Sequence, residues 1–195
     1  ALALRYVKLA AEQGYAKAQA TLGRVYTRGE DMETDYPEAL RYFRLAMDQG
    51  DARVHADLAN MYYMGHGVDK DNAQVIKHST LAIEGGAMQG ASMLAAFYYN
   101  GAEGVERDVA QAVQYGKLAA ASGDAEAQYN LAAIYVGGVG VEVEQDYAQA
   151  VKFCKLSADQ GYGEAQYLLA QLYDNGNGIG QDHVLASKYL TLASE

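Results

Sequence analysis

The chain has one cysteine, one proline and no tryptophan among its 195 residues, and each scarcity narrows what it can be. A lone Cys154 cannot close an internal disulfide, so oxidative stapling is excluded and a reducing compartment is favoured. With a single proline, 21 glycines and many alanines, the composition fits short helices stopped by glycine rather than a sheet of β-branched residues. Cations are scarce too: 15 Lys and Arg stand against 25 Asp and Glu, a formal charge of −10. Phosphate neutralisation needs clustered basic side chains, which argues against a nucleic-acid partner. No apolar run is long enough to span a bilayer, so membrane insertion is not expected, and no charged start followed by an apolar segment reads as a signal peptide. The chain opens without Met in what matches the second half of a repeat, so further sequence is expected upstream. The compartment stays open between the cytoplasm, favoured by the single cysteine, and a bacterial periplasm or secretion.

Half of the residues are apolar, ample for a core, and they recur at a fixed period. The phrase L-x-x-x-Y-x-x-G aligns Leu22, Leu58, Leu94, Leu131 and Leu169, then Tyr26, Tyr62, Tyr98, Tyr135 and Tyr173, with offsets of 36, 36, 37 and 38. Gly29, Gly65, Gly101, Gly138 and Gly176 keep the same offsets, and an aspartate follows at 35, 71, 108, 146 and 182. Each unit reads as two helices; in the first repeat helix A is expected over about 16–28 and helix B over about 35–49. Glycine after the tyrosine suits the left-handed residue that closes a helix, and a second glycine in GHGV, GVGV and GNGI lets the chain reverse tightly. The aspartate then caps helix B. Glu38, Gln74, Gln111 and Gln149 lie three residues beyond it in a capping-box arrangement that Leu185 breaks in the fifth unit. Pro37 falls in a first turn, where its missing N–H costs nothing. Glycines at 14, 50, 86, 123 and 161 end the B helices.

At 100° per residue, Ala18, Leu22, Val25 and Tyr26 share one face of helix A, as do Ala127, Leu131, Ile134 and Tyr135. That face is the expected core, met by Ala39, Tyr42 and Ala46 or Ala112, Tyr115 and Ala119 on helix B. Gly23, Ala59, Ala95, Ala132 and Ala170 supply the small residue that lets the two helices approach. Fixing such a unit costs on the order of 50 kcal/mol at ~1.5 kcal/mol per residue, which one hairpin's apolar face does not offset alone, so neighbours must stack. The expected fold is all-α, an α-α superhelix (solenoid) of helical-hairpin repeats of 36–38 residues. It forms a single repeat domain over 1–195, with a lone B helix at 1–14 and repeats at about 15–50, 51–86, 87–123, 124–161 and 162–195.

The pattern A-x-Q-Y-x-L-x-x-x-Y-x-x-G-x-G-V-x-x-D-x-x-x-A resembles the Sel-one-like repeat (SLR) family, relatives of the tetratricopeptide repeat, over nearly the whole chain. The 36–38 spacing and the glycine-rich inter-helix loop separate it from the tetratricopeptide repeat proper, whose period is 34. The resemblance implies an adaptor that holds other proteins together. It departs from the family where Trp is common in helix B and this chain has Tyr42, His78, Tyr115, Phe153 and Tyr189, an exchange that packing is expected to survive. The first loop, GEDMETD, lacks the second glycine. The paired cysteines of the secreted branch, some members of which are linked to β-lactam binding or hydrolysis, are missing.

Residues opposite the core stripe of helix A are expected to line a groove. These are Lys17, Ala20, Arg24 and Thr27 with Arg28, then Arg53, Ala56, Asn60 and Tyr63, then Gln89, Ser92, Ala96 and Tyr99. Glu126, Tyr129, Ala133 and Val136 follow, and last Glu164, Tyr167, Gln171 and Asp174. They run from cationic through aromatic to acidic, a gradient that would orient an extended protein or peptide ligand, with the basic end taking a carboxylate. The same positions also read as plain solvated helix faces. Tyr129 and Tyr167 match a tyrosine common in the family that the chain resembles, which leaves Tyr63 and Tyr99 more informative.

Other chemistries find little support. His55, His66, His78 and His183 occupy unrelated repeat positions, so no convergent metal site is expected; His78 replaces a core aromatic and reads as a hydrogen-bonded structural residue. Cys154 reads as a small apolar filler. The five repeat aspartates are already explained as caps, and the Gly-rich loops lack the Lys-Ser/Thr of a phosphate-binding loop. No cofactor is implied. The favoured reading is a non-enzymatic scaffold; the alternatives are a hydrolase-type enzyme on the same scaffold, directed at β-lactams, and a spacer that self-associates end to end.

Overall fold

The computed structural model describes residues 2–29, 32–139 and 143–194. Gly140 of GVGV and the Glu30–Asp31 part of the first loop lie outside the described residues. The chain divides into two compact units, Ala1–Gly90 and Ala91–Glu195. A lone helix, α1 (Leu2–Glu12), precedes two hairpins, α2 (Ala16–Arg28) with α3 (Tyr36–Asp48) and α4 (Val54–Met64) with α5 (Asn72–Glu84). Three more follow: α6 (Gln89–Asn100) with α7 (Val109–Ala121), α8 (Ala125–Gly137) with α9 (Tyr147–Ala158), and α10 (Gly163–Asn175) with α11 (His183–Leu192). The fold is all-α. Among the described residues the only extended pairings are isolated bridges, Ala102 with Val105 and Val139 with Val143, inside two inter-helix loops.

Each B helix begins on the expected aspartate. Asp35, Asp71, Asp108 and Asp146 accept the N–H of Glu38, Gln74, Gln111 and Gln149 at 2.8–3.0 Å, and Asp182 accepts from Val184 and Leu185. The reciprocal half of the capping box is not made. Each aspartate's own N–H donates instead to the carbonyl of Tyr26, Tyr62, Tyr98, Tyr135 or Tyr173 at 2.9–3.3 Å, near the end of the partner A helix. Glu38 is thereby released to pair with Arg41. One residue thus starts helix B with its side chain and ties it to helix A with its backbone, satisfying orphan groups at both helix ends.

The same tyrosines stack on the B-helix aromatics: Tyr26 on Tyr42, Tyr62 on His78, Tyr98 on Tyr115, Tyr135 on Phe153 and Tyr173 on Tyr189. Centroids lie 5.6–6.1 Å apart with planes within 12° of parallel, an offset stack that stands in place of tryptophan. Beneath them the repeat leucines are at most 4% exposed. Phe43 fills the space beside Gly23, where a Cβ would come within 2.5 Å of its ring.

Two further devices join one repeat to the next. Gln19, Gln128 and Gln166 are buried, and their amides donate to the carbonyls of Ala11, Ala120 and Ala158 at the end of the preceding B helix, at 3.1–3.4 Å. Gln49 and Gln160 donate back to the amide oxygens of Gln19 and Gln128 at 2.7 and 2.8 Å. The second loop glycine serves the same end: Cβ atoms on Gly67 and Gly178 would lie 2.6 and 2.5 Å from Tyr36 and Tyr147, the first residues of the preceding B helices.

Candidate functional site

In the first unit the expected groove residues fall mainly on the exposed side of the A helices, and Arg24 and Arg53 are held by acidic neighbours. Lys17 stands exposed in the first turn of α2 and Arg28 in its last. Arg24 is half-buried and grips Asp57 of α4 with Nε and Nη2 at 2.7–3.0 Å, a fork that raises its pKa further and links successive A helices. Arg53, at the start of α4, pairs with Asp51 at 2.6 Å and holds that carboxyl below its usual range. Asn60 and Tyr63 are exposed, Tyr63 by 48%, and Gln89 is exposed at the start of α6. Ala20 departs from expectation: it is fully buried in a cluster with Ala39, Phe43 and Ala46 of α3 and Val54 and Leu58 of α4.

In the second unit the face is acidic and aromatic. Tyr99, on the last turn of α6, is 38% exposed, with the Arg107 guanidinium 5.5 Å from its ring centroid. Glu126 and Glu164 are exposed in the first turns of α8 and α10. Tyr129 is only half-buried and tilts against Tyr162 at 5.4 Å, so it belongs to the edge of the core. Tyr167, 53% exposed, shares α10 with exposed Gln171 and Asp174, and Asp174 meets His183 Nδ1 at 2.8 Å. Ser92 donates to Asp124 Oδ2 at 2.7 Å, a tie between α6 and the cap of α8.

Six successive segments match the Sel1 repeat: residues 1–15, 16–51, 52–86, 89–124, 125–162 and 163–195. The chain belongs to the Sel1 repeat family. Members of that family generally act as protein-interaction scaffolds. A protective antigen of uropathogenic Escherichia coli that displays an SLR fold is similar over 98% of this chain, with 31% identity and a TM-score of 0.87. A Sel1 repeat protein from Oxalobacter formigenes is similar over 100% of this chain, with 30% identity and a TM-score of 0.83. The chain spans 40% of the length of the first and 76% of the second. An immunity protein from Pseudomonas aeruginosa, at 21% identity over 98% of this chain and 72% of its own, shares the fold with a TM-score of 0.65. Among curated proteins none matches the chain.

His55 occupies the repeat position of Gln19, Gln128 and Gln166, and where Gln19 finds Gln49, His55 finds His78, Nδ1 to Nδ1 at 2.9 Å. Sequence spacing did not bring these two together, since one stands in the glutamine position and the other in the aromatic position. Burial lowers both pKa values, that of His78 to about 4, with His55 and Lys77 adding repulsion. Among the described residues no three His, Cys, Asp or Glu side chains gather so as to hold a metal ion. Cys154 is fully buried, its thiol directed at the Ala165 carbonyl at 3.1 Å, and burial pushes its pKa up to about 12, so it remains a thiol at neutral pH. No helix among the described residues is long and apolar enough to cross a membrane.

Proposed function

We propose that this Sel1 repeat chain binds a protein or peptide on the exposed faces of its A helices and catalyses no reaction. The observation that carries this is the exposure of Tyr63, Tyr99 and Tyr167 on three A helices whose other tyrosines are packed in stacks. Exposed aromatics on pre-ordered helices supply contact area at little entropic cost, the usual make-up of an interaction hot spot. Arg24 and Arg53 support a carboxylate-binding end less well than their charges suggest, because an incoming carboxylate competes with Asp57 and Asp51. The exposed Glu126, Glu164 and Asp174 favour a partner with basic residues opposite the second unit.

The test is affinity capture from the native source, followed by titration of the captured partner with wild type and with the Tyr63→Ala/Tyr167→Ala variant. Both rings are solvent-exposed, so folding persists, and a loss of about tenfold or more is expected from removing two aromatic anchors. Unchanged affinity would defeat the proposal, as would turnover of a chromogenic β-lactam by the purified chain. A second reading, end-to-end association, is favoured by the apolar exposure of Val184 and Leu190 on α11. Light scattering that shows a concentration-dependent mass would support it.

A further inference from the structure

The third hairpin has a space that the first fills. The residue after the stacking aromatic of helix B is Phe43, Ser79, Gly116, Cys154 or Leu190, and its counterpart on helix A is Gly23, Ala59, Ala95, Ala132 or Ala170. In the first hairpin the small residue is answered by the Phe43 ring. In the third, small Ala95 faces Gly116, whose missing Cβ would lie 4.0 Å from Ala95 Cβ and 3.1 Å from the Leu131 side chain of α8, so no ring stands between α6 and α7 as Phe43 does in the first. A cavity of about 370 Å³ opens there between α6, α7 and α8. Its inner wall is apolar, from Ala95, Ala112, Gly116, Leu131 and Ile134, and Asp124, Glu126, Asn130 and Tyr99 stand among its polar lining.

The charge of the lining is one-sided. Asp124 is held in place, accepting from the Ala127 N–H at 3.0 Å and the Ser92 hydroxyl at 2.7 Å, while Glu126 is exposed. Among the described residues no Lys or Arg lines the cavity. The N-terminal dipole of α8 offsets roughly half a charge, so two carboxylates leave the lining negative. An apolar wall with anionic groups suits a side chain that is itself divided into a methylene stem and a cationic end. A wholly apolar occupant would desolvate the carboxylates without compensation.

We infer that this cavity receives a lysine or arginine side chain from a protein partner, the stem against Ala95, Gly116 and Leu131 and the head at Asp124 and Glu126. The volume is at the lower end of the ligand-site range, roughly 300–1,000 Å³, and so suits one long side chain rather than a larger ligand. This rests on the A-helix face being the binding surface, and makes the third hairpin the point where the partner's basic residue is anchored.

The experiment is an amide chemical-shift titration of the full chain with N-acetyl-lysine amide and N-acetyl-arginine amide, using N-acetyl-norleucine amide as the uncharged stem. Saturable shifts centred on Ala95, Gly116, Asn130 and Leu131 are expected, with Kd on the order of millimolar for so small a fragment. Norleucine and the Glu126→Gln variant are each expected to bind about three- to fivefold more weakly, the scale of one partly exposed ion pair. Ala133→Phe places a ring on an exposed lining position without touching the core, and is expected to abolish the shifts. Equal binding of norleucine, dispersed shifts, or binding undiminished by Ala133→Phe would overturn the inference. Tyr63 and Tyr167 do not line this cavity, so a failed fragment titration with a partner still sensitive to those two tyrosines would remove the cavity's role and leave the A-helix reading standing.

Discussion

Replacing His78 with Tyr should remove a specific acid sensitivity. His78 is 8% exposed, lies on Tyr62 with centroids 5.6 Å apart, and shares a 2.9 Å hydrogen bond with His55. That bond requires one ring to donate from Nδ1 and the other to accept, which both meet when neutral and which double protonation abolishes. The groups around it are Tyr62, His55 and Lys77, of which the last two repel a charge on His78. An unfolded histidine titrates at about 6.5, the folded one at about 4. Between those values the unfolded chain binds the extra proton, so stability is fully present above pH 6.5 and is lost as pH falls toward 4. The gap corresponds to about 3 kcal/mol, of which about 2.5 kcal/mol is already lost at pH 4.5.

Urea unfolding of wild type and His78→Tyr at pH 7.5, 6.5, 5.5 and 4.5 measures this directly. Tyrosine keeps the stack, as Tyr42, Tyr115 and Tyr189 do at the same position, and stays neutral throughout. Asp51, held low by Arg53, and Asp108, held low by Gln111, lose their contributions in acid equally in both proteins, so the difference isolates the imidazoles. The variant should lose about 2–3 kcal/mol less than wild type between pH 7.5 and 4.5. Parallel pH profiles would refute the reasoning.

Further expectations follow from the ties between repeats. Gly178→Ala, with φ at +69° and its Cβ 2.5 Å from the Tyr147 backbone, should lower stability by about 2 kcal/mol or more, whereas Gly180→Ala, with nothing within 4 Å, should change it by less than about 0.5 kcal/mol in the same urea assay. A double-mutant cycle on Arg24→Ala and Asp57→Ala should give a coupling of about 1 kcal/mol that shrinks in high salt. Asp146→Ala should cost about 1 kcal/mol, since the cap is lost but the backbone bond to Tyr135 remains. Cys154 should not react with a thiol-reactive chromophore in the native state at pH 7.5 and should react at once in urea; rapid native labelling would contradict its burial.

The parts of this architecture that are local in the chain could be read from it. A left-handed glycine at 29, 65 or 176 and an aspartate capping the residue three positions on depend only on neighbouring backbone, so their residue types name them. What depends on another helix could not. The aspartate N–H is drawn away from the capping box by a tyrosine carbonyl nine to eleven residues earlier, a partner that exists only once the hairpin closes. Arg24 reads as a free cation until α4 places Asp57 against it, and Ala20 reads as exposed until it joins the cluster formed by α3 and α4. His55 and His78 belong to different sequence classes, an amide substitute and an aromatic substitute, and only packing makes them a pair. The cavity of the third hairpin was written in Ala95 and Gly116, yet its space becomes visible only beside Phe43 in the first.

The most direct test of the central claim is hydrogen exchange on the chain with and without its captured partner. Protection is expected on the A helices α4, α6, α8 and α10, strongest around Tyr63, Tyr99 and Tyr167, with the B helices α3, α5 and α9 unchanged. Protection confined to the B helices, or to α1 and α11 alone, would contradict it.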